Sequence, residues 1–405
     1  MPFIVDDLLY LTKCVQKYYN DINSAPSAQR VVSSMKKSFF FISVNIAIFC
    51  TLIVALEAAG QIYYHIKHGK FVFQTSVYDN EDPRLRTFEI HPYLAGRLKK
   101  NVTVRNVENS KEIKTTSIHT RWTGAPEDDR NLIRVAVLGG STTFGSELTD
   151  SDSWPALLQS KLGDEFSVIN YGVPGYSTAE AIIQMGLIVP ESKPQFVVLY
   201  EGWNDIHNYH EEDLGADYYV QGMGQYDNLA IPIYREKTVF EKLYELSAII
   251  RLMTKLKWIL SEPPDNRPCP KFDSPDPFVD KMYVRNLNTL KLLSERIDYF
   301  TLFVPQVLNY KAYLEQEDRE ACNHWVWHVK YSAMPRLMDR LNSLMQSVCT
   351  KDDSKCVFVD SVLKVKWEAD DFIDFGHFSK KGGEKFADVI SQVILSRAKE
   401  GKYLQ

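Results

Sequence analysis

Four short stretches of this 405-residue chain hold residue types that together could perform acyl transfer through a covalent intermediate. They are Gly139-Gly140-Ser141-Thr142-Thr143-Phe144-Gly145, Asn170-Tyr171-Gly172-Val173-Pro174-Gly175, Gly202-Trp203-Asn204-Asp205 and Asp374-Phe375-Gly376-His377. Ser141 offers a hydroxyl nucleophile. Of the nine histidines, only His377 has an aspartate three residues before it. On a helical turn that offset puts Asp374 and His377 on one face, so the carboxylate holds Nδ1–H and leaves Nε2 for a serine hydroxyl. The Asn204 carboxamide and the backbone N–H groups of Ser141 and Gly172 suit a developing oxyanion.

Each stretch also has an inert reading. Gly-Ser-Thr marks turns, Asp-x-x-His is a common capping pair, and Asn204 could close a loop as an Asx turn. A phosphate-binding loop is excluded because no Gly-Lys-Ser/Thr follows Gly139, and the Gly-x-Ser-x-Gly elbow is absent around Ser141.

The elements that must position these groups favour the chemical reading. Ile133 to Leu138 is a short, largely apolar run rich in Val and Ile that reads as a strand buried on both faces. It delivers Ser141 to its carboxyl end, where open parallel sheets bind ligands. Phe166 to Asn170 leads into Gly172, and Phe196 to Tyr200 leads into Asn204, so three successive strand ends carry the needed groups. Further strands are expected at Tyr299 to Val304 and Cys356 to Asp360. Helices are expected at 154–162, 178–189, 238–258, 278–297, 324–348 and 381–399. Alternating strands and helices imply a parallel sheet covered on both faces.

The four blocks, in this order, resemble those of the SGNH-hydrolase superfamily, the GDSL-type esterases and lipases. The resemblance covers residues 130 to 400 and is strongest to bacterial-type membrane-anchored members. It implies a three-layer α/β/α fold with a mainly parallel, flavodoxin-like sheet. It also implies a Ser141, His377, Asp374 triad, with Ser141, Gly172 and Asn204 forming an oxyanion hole for an ester substrate. The departure is at Gly140, where the family usually has an aspartate before the serine. The superfamily also includes acyltransferases, deacetylases of envelope polysaccharide and non-catalytic glycan binders, so the fold alone does not set the activity.

Phe39 to Leu56 is an uncharged apolar run, about 27 Å long at ~1.5 Å per residue, enough to cross a bilayer with its flanks. Residues 38–60 are therefore read as a single transmembrane helix. Residues 1–37 form a cytoplasmic segment, partly amphipathic through Leu8, Leu11, Val15 and Tyr18. Residues 61–129 form a juxtamembrane stretch with strand-like Phe71-Val72-Phe73 and Val102-Thr103-Val104. It also contains the sequon Asn101-Val102-Thr103, read as a chance match. Arg30, Lys36 and Lys37 lie before the span, placing the remainder outside the cytoplasm, in a periplasm, a lumen or the exterior.

Residues 206–275 read as an insertion, a lid or substrate wall. His207 and His210 with Glu211, and His324 with His328, have metal-ligand spacing, but the chemistry above calls for no metal or cofactor. A net charge of −5 gives no support for nucleic acid as a partner. In an oxidising compartment Cys349 and Cys356, separated by six polar residues, are expected to pair, leaving Cys269 with Cys322.

Overall fold

The computed structural model describes residues 26–75, 87–89, 96–105, 111–126, 131–217, 238–260, 271–315, 328–349 and 355–401, with isolated positions at 13, 16, 17, 91, 93 and 94. The chain divides into two compact units, Met1–Tyr78 with Thr238–Glu262, and Asp79–Lys237 with Pro263–Gln405.

The larger unit is built on five parallel strands: β1 (Ile133–Gly139), β2 (Phe166–Asn170), β3 (Phe196–Tyr200), β4 (Phe300–Val304) and β5 (Cys356–Phe358). Their order across the sheet is β2-β1-β3-β4-β5, the flavodoxin-like order. The chain therefore reverses direction of growth between β1 and β3, which opens a crevice at their carboxyl ends.

Alternate residues of each strand feed opposite cores. Val135, Val137, Val198 and Leu302 face the helices Trp154–Leu162 and Lys380–Glu400. Ala136, Leu138, Val197 and Phe303 face the helices Thr178–Ile183, Pro277–Ile297 and Met334–Val348. All eight strand residues are fully buried, which is why β1 and β3 read as continuous apolar runs rather than alternating ones. The fold class is thus the three-layer α/β/α arrangement expected. Helix boundaries differ at three places, the first being the helix expected at 238–258, which breaks at the extended Ser247 into Val239–Leu246 and Ala248–Leu260. The helix from Thr178 becomes a wider π turn at Gln184–Ile188 before Pro190, and the helix expected at 324–348 begins at Met334, residues 316–327 lying outside the described set.

Two small antiparallel pairs precede the sheet, Phe88–Glu89 with Arg97–Leu98 and Thr103–Arg105 with Glu112–Lys114. Leu94 and Leu98 join Phe144, Val173 and Tyr176 in a satellite core beside the Ser141 turn. Arg121 N–H donates to Asn170 O at 3.0 Å, extending the β2 edge.

In the smaller unit, one helix runs from Pro26 to His68, and its segment Lys37–His68 is long and apolar enough to cross a membrane. Val72–Gln74 is a 3-10 turn, not the strand expected at Phe71-Val72-Phe73, because Gln74 Oε1 accepts from Phe71 N–H and closes the turn. Helices Val239–Leu246 and Ala248–Leu260 pack in the same unit. Leu8, Leu11, Val15 and Tyr18 lie outside the described residues.

Candidate active site

Ser141 opens a four-residue helix, Ser141–Phe144, directly after β1. Its far end is tied down by Arg121. That buried guanidinium donates to Phe144 O, to Gly145 O at 2.6 Å, to Leu148 O at 2.6 Å and to Asp150 Oδ1 at 2.9 Å. Carbonyls left over at the helix end thus meet a positive charge. Burial pushes the Arg121 guanidinium down and the Asp150 carboxyl up, and each is opposed by the other's charge.

His377, from the other end of the chain, reaches Ser141. His377 Nε2 lies 2.8 Å from Ser141 Oγ, and His377 Nδ1 lies 2.7 Å from Asp374 Oδ2. Asp374 and His377 do not sit on a helical turn. They lie in a tight loop closed by a Phe372–Phe378 bridge, and the second carboxylate oxygen makes the turn. Asp374 Oδ1 accepts from Gly376 N–H at 2.9 Å and His377 N–H at 2.8 Å. An aspartate that bonds the backbone two residues on favours such a turn over a helix. Burial raises the Asp374 pKa, but the His377 ring bond, its charge and the two backbone N–H groups outweigh that and leave it below the ordinary value. The carboxylate therefore stays ionised and fixes the tautomer with Nε2 free toward Ser141.

Trp203 lies against the imidazole, with ring centroids 5.3 Å apart. Gly376 makes the space: a Cβ there would lie 1.3 Å from Trp203 Cζ3.

The three expected oxyanion donors differ in readiness. Ser141 N–H has no acceptor among the described residues. Asn204 gives one amide hydrogen to Tyr176 O at 2.6 Å, and its second has no partner among the described residues. Gly172 N–H is already bonded to Asn170 Oδ1 at 2.9 Å, and Asn170 Nδ2 in turn holds Thr143 O at 3.2 Å. Asn204 also accounts for the residue before Ser141. A Cβ at Gly140 would lie 2.2 Å from Asn204 Nδ2, so the carboxamide occupies the place a side chain would need.

Behind Asn204, Asp205 is fully buried and accepts from Thr178 N–H at 3.2 Å and from Thr178 Oγ1 at 2.5 Å. Burial, with help from the Glu180 charge, pushes its pKa up to about 7 against the Thr178 bonds. Glu201, also buried, is raised by burial first and then by Asp205 and Glu180. Sequence reasoning missed Arg121, Trp203 and Asp205 as supports of the site. It also missed Asn170 as the cap of Gly172 N–H, although an Asn two residues before an N–H is the signature of an Asx turn.

The histidine pairs are dispersed. His207 is buried, His210 Nε2 meets Ser274 O at 2.9 Å, and His328 Nε2 meets Glu211 Oε2 at 3.1 Å. His324 lies outside the described residues, among which no group of three His, Cys, Asp or Glu side chains could hold a metal. Cys349 and Cys356 form a disulfide, with Cα atoms 6.1 Å apart, joining the end of the Met334–Val348 helix to β5. Cys269 and Cys322 lie outside the described residues.

The model of the GDSL-like lipase/acylhydrolase family matches residues 137–385. Esterase TesA of Pseudomonas aeruginosa is 35% identical over 74 residues, 18% of this chain and 37% of that protein. Thioesterase 1/protease 1/lysophospholipase L1 of Escherichia coli is 29% identical over 71 residues, 18% of this chain and 34% of that protein. The matched stretch thus spans little more than a third of either relative. Among solved structures, the lipase/acylhydrolase from Enterococcus faecalis is similar at 15% identity and a TM-score of 0.35, covering 66% of this chain and 97% of that one.

Proposed function

The chain belongs to the GDSL-like lipase/acylhydrolase family, a family of ester-hydrolysing enzymes, and on that premise we propose that it is a membrane-anchored serine hydrolase of carboxylic esters. Ser141 attacks the ester carbonyl while His377 Nε2 takes its proton. The imidazolium, supported by Asp374, then returns a proton to the departing alcohol. The oxyanion is held by Ser141 N–H, by the second Asn204 amide hydrogen, and by Gly172 N–H once Asn170 releases it. Each such donor contributes about 3 kcal/mol in the transition state. Water then attacks the acyl-enzyme, with His377 as base, and frees Ser141.

The observation that carries this reading is the relay of two hydrogen bonds, 2.7 and 2.8 Å, from Asp374 through His377 to Ser141, although 236 residues separate the last two. Anchoring through residues 38–60 is supported by the uncharged run Phe39 to Leu56 and its exposed side chains. A catalytic unit outside the cytoplasm is supported by the Lys36–Lys37 flank and by the Cys349–Cys356 disulfide, which suits an oxidising space.

The test is labelling of the full chain with a fluorophosphonate, followed by peptide mapping and a p-nitrophenyl ester series of increasing chain length. Modification at Ser141 together with ester turnover is expected. An unlabelled Ser141 in folded protein, with no turnover of any ester, would overturn the mechanism.

A further inference from the structure

The helices Val239–Leu246 and Ala248–Leu260 make polar contacts with the Pro26–His68 helix and leave seven of their described large apolar side chains exposed. The break between them falls at Ser247, whose extended backbone ends the first helix. The start of the second is capped from a distant part of the chain. Glu57 Oε1 accepts from Ala248 N–H at 2.7 Å, and Glu57 Oε2 accepts from Ser247 Oγ at 2.7 Å and Ile249 N–H at 3.1 Å. A carboxylate at exposed N–H groups of a helix start satisfies both their hydrogen bonds and the dipole.

One turn on, Gln61 donates to Leu246 O at 2.9 Å and accepts from Val72 N–H at 2.8 Å. Gly60 allows close approach, since a Cβ there would lie 2.7 Å from the Ala248 Cβ. The Arg251 guanidinium is buried, bonded to Tyr244 O at 2.9 Å, Tyr64 OH at 3.2 Å and Thr75 Oγ1 at 2.6 Å. With these groups consumed, the large apolar side chains exposed on the first helix are Val239, Phe240, Leu243 and Leu246. On the second they are Leu252, Met253 and Leu256. Phe240 is 57% and Met253 64% exposed, and within each helix the spacing of three and four residues gathers these side chains on one face.

We propose that residues 238–260 are a membrane-interfacial helix pair, docked on the emerging end of the anchor with its apolar face in the headgroup–acyl boundary of the same bilayer. This rests on the membrane-anchored reading above. The bilayer is the occupant because of where the pair is held. Glu57, Gly60, Gln61 and Tyr64 follow immediately on the apolar run that ends at Leu56, so a pair fastened to them sits within about two turns, ~11 Å, of the hydrocarbon edge. The charge also fits: exposed Lys242, Lys255 and Lys257 join Lys67 and Lys70 at this level, matching anionic headgroups. An apolar stripe left in water would be an aggregation surface.

The test uses the full chain reconstituted in vesicles of phosphatidylcholine and phosphatidylglycerol, with a benzophenone amino acid placed singly at positions 240, 252, 52 and 193. Position 52 reports the anchor and position 193 is a water-facing control in the larger unit. After irradiation, mass spectrometry is expected to find lipid adducts at 240, 252 and 52 and none at 193. Adducts at 52 alone would reject the interfacial pair and keep the anchor. Adducts at none of the four would reject the anchor and the pair together. Cross-links to a second copy at 240 and 252 would make the face a protein interface and also overturn the proposal. As a second measurement, Leu243→Glu with Leu252→Glu changes only exposed side chains and is expected to lower lipid adducts at 240 by about tenfold or more, with fluorophosphonate labelling retained. Unchanged adduct yield would count against burial in lipid.

Discussion

At Asn204 one amide hydrogen is committed to the Tyr176 carbonyl, which fixes the carboxamide plane before any substrate arrives. The second hydrogen is then aimed without further reorganisation, the condition under which a donor acts mainly on the transition state. Asn204→Ala is expected to lower kcat by roughly a hundredfold or more with little change in KM. A rise in KM alone would make Asn204 a substrate contact instead. At Ser141 the expectation is stronger. Ser141→Ala removes the only hydroxyl within reach of His377 Nε2 among the described residues and should abolish fluorophosphonate labelling and reduce ester turnover by several orders of magnitude, about what loss of a triad member costs. Circular dichroism should be unchanged, because no other hydrogen bond of the Ser141 side chain is broken.

The element that most constrains the site is the turn from Asp374 to His377. Its carboxylate spends one oxygen on the backbone and one on the imidazole, so a single residue shapes the loop and orients the His377 ring. The loop also has to pass over Trp203. Gly376→Ala is expected to displace Trp203 and with it the imidazole, and a shift on the order of 1 Å there costs about a hundredfold in kcat. Adding Trp203→Ala to that variant should recover part of the loss, and no recovery would show that the indole is not the obstacle. The strands feeding the site were legible because burial on both faces writes them as short apolar runs rich in Val and Ile, as in Val135-Ala136-Val137. The Asp374–His377 pairing was legible from spacing, but its backbone was not. A three-residue offset fits a helical turn and an Asx-closed loop equally well, and the choice is made by the Phe372–Phe378 bridge. Trp203 over His377, Arg121 under Phe144 and Glu57 at Ala248 were invisible for a common reason: each joins segments whose proximity only the completed fold creates.

At the scale of the whole molecule, buried carboxyls couple stability to pH. Asp205 keeps its proton up to about pH 7 when folded, against a value of 3.8 when free. Between those two values the unfolded chain has released the proton and the folded chain still binds it, so stability falls as pH rises through this window. Asp205→Asn keeps an acceptor for Thr178 and carries no charge. Urea unfolding at pH 5 and pH 8 should therefore show a loss with rising pH that is smaller in the variant by roughly 2 kcal/mol. Equal losses would mean that Asp205 titrates alike in both states. For orientation, a reporter fused after Gln405 is expected to be active only outside the cytoplasm, since Lys36 and Lys37 precede the apolar run; activity inside would reverse the assignment. The cap that Glu57 provides also sets a clock. Its acceptor oxygens meet Ser247, 190 residues later in the chain. At a synthesis rate of about 5–20 residues per second, the carboxylate emerges on the order of 10–40 s before the groups it will bind exist. Through that interval the carboxylate has a partner on its own helix in Gln61, whose amide donates to Glu57 Oε1 at 2.7 Å, while its places for Ser247, Ala248 and Ile249 are held by water. On the proposed reading the anchor therefore enters the bilayer with this cap half made, and a segment synthesised after the strand that carries Ser141 completes it.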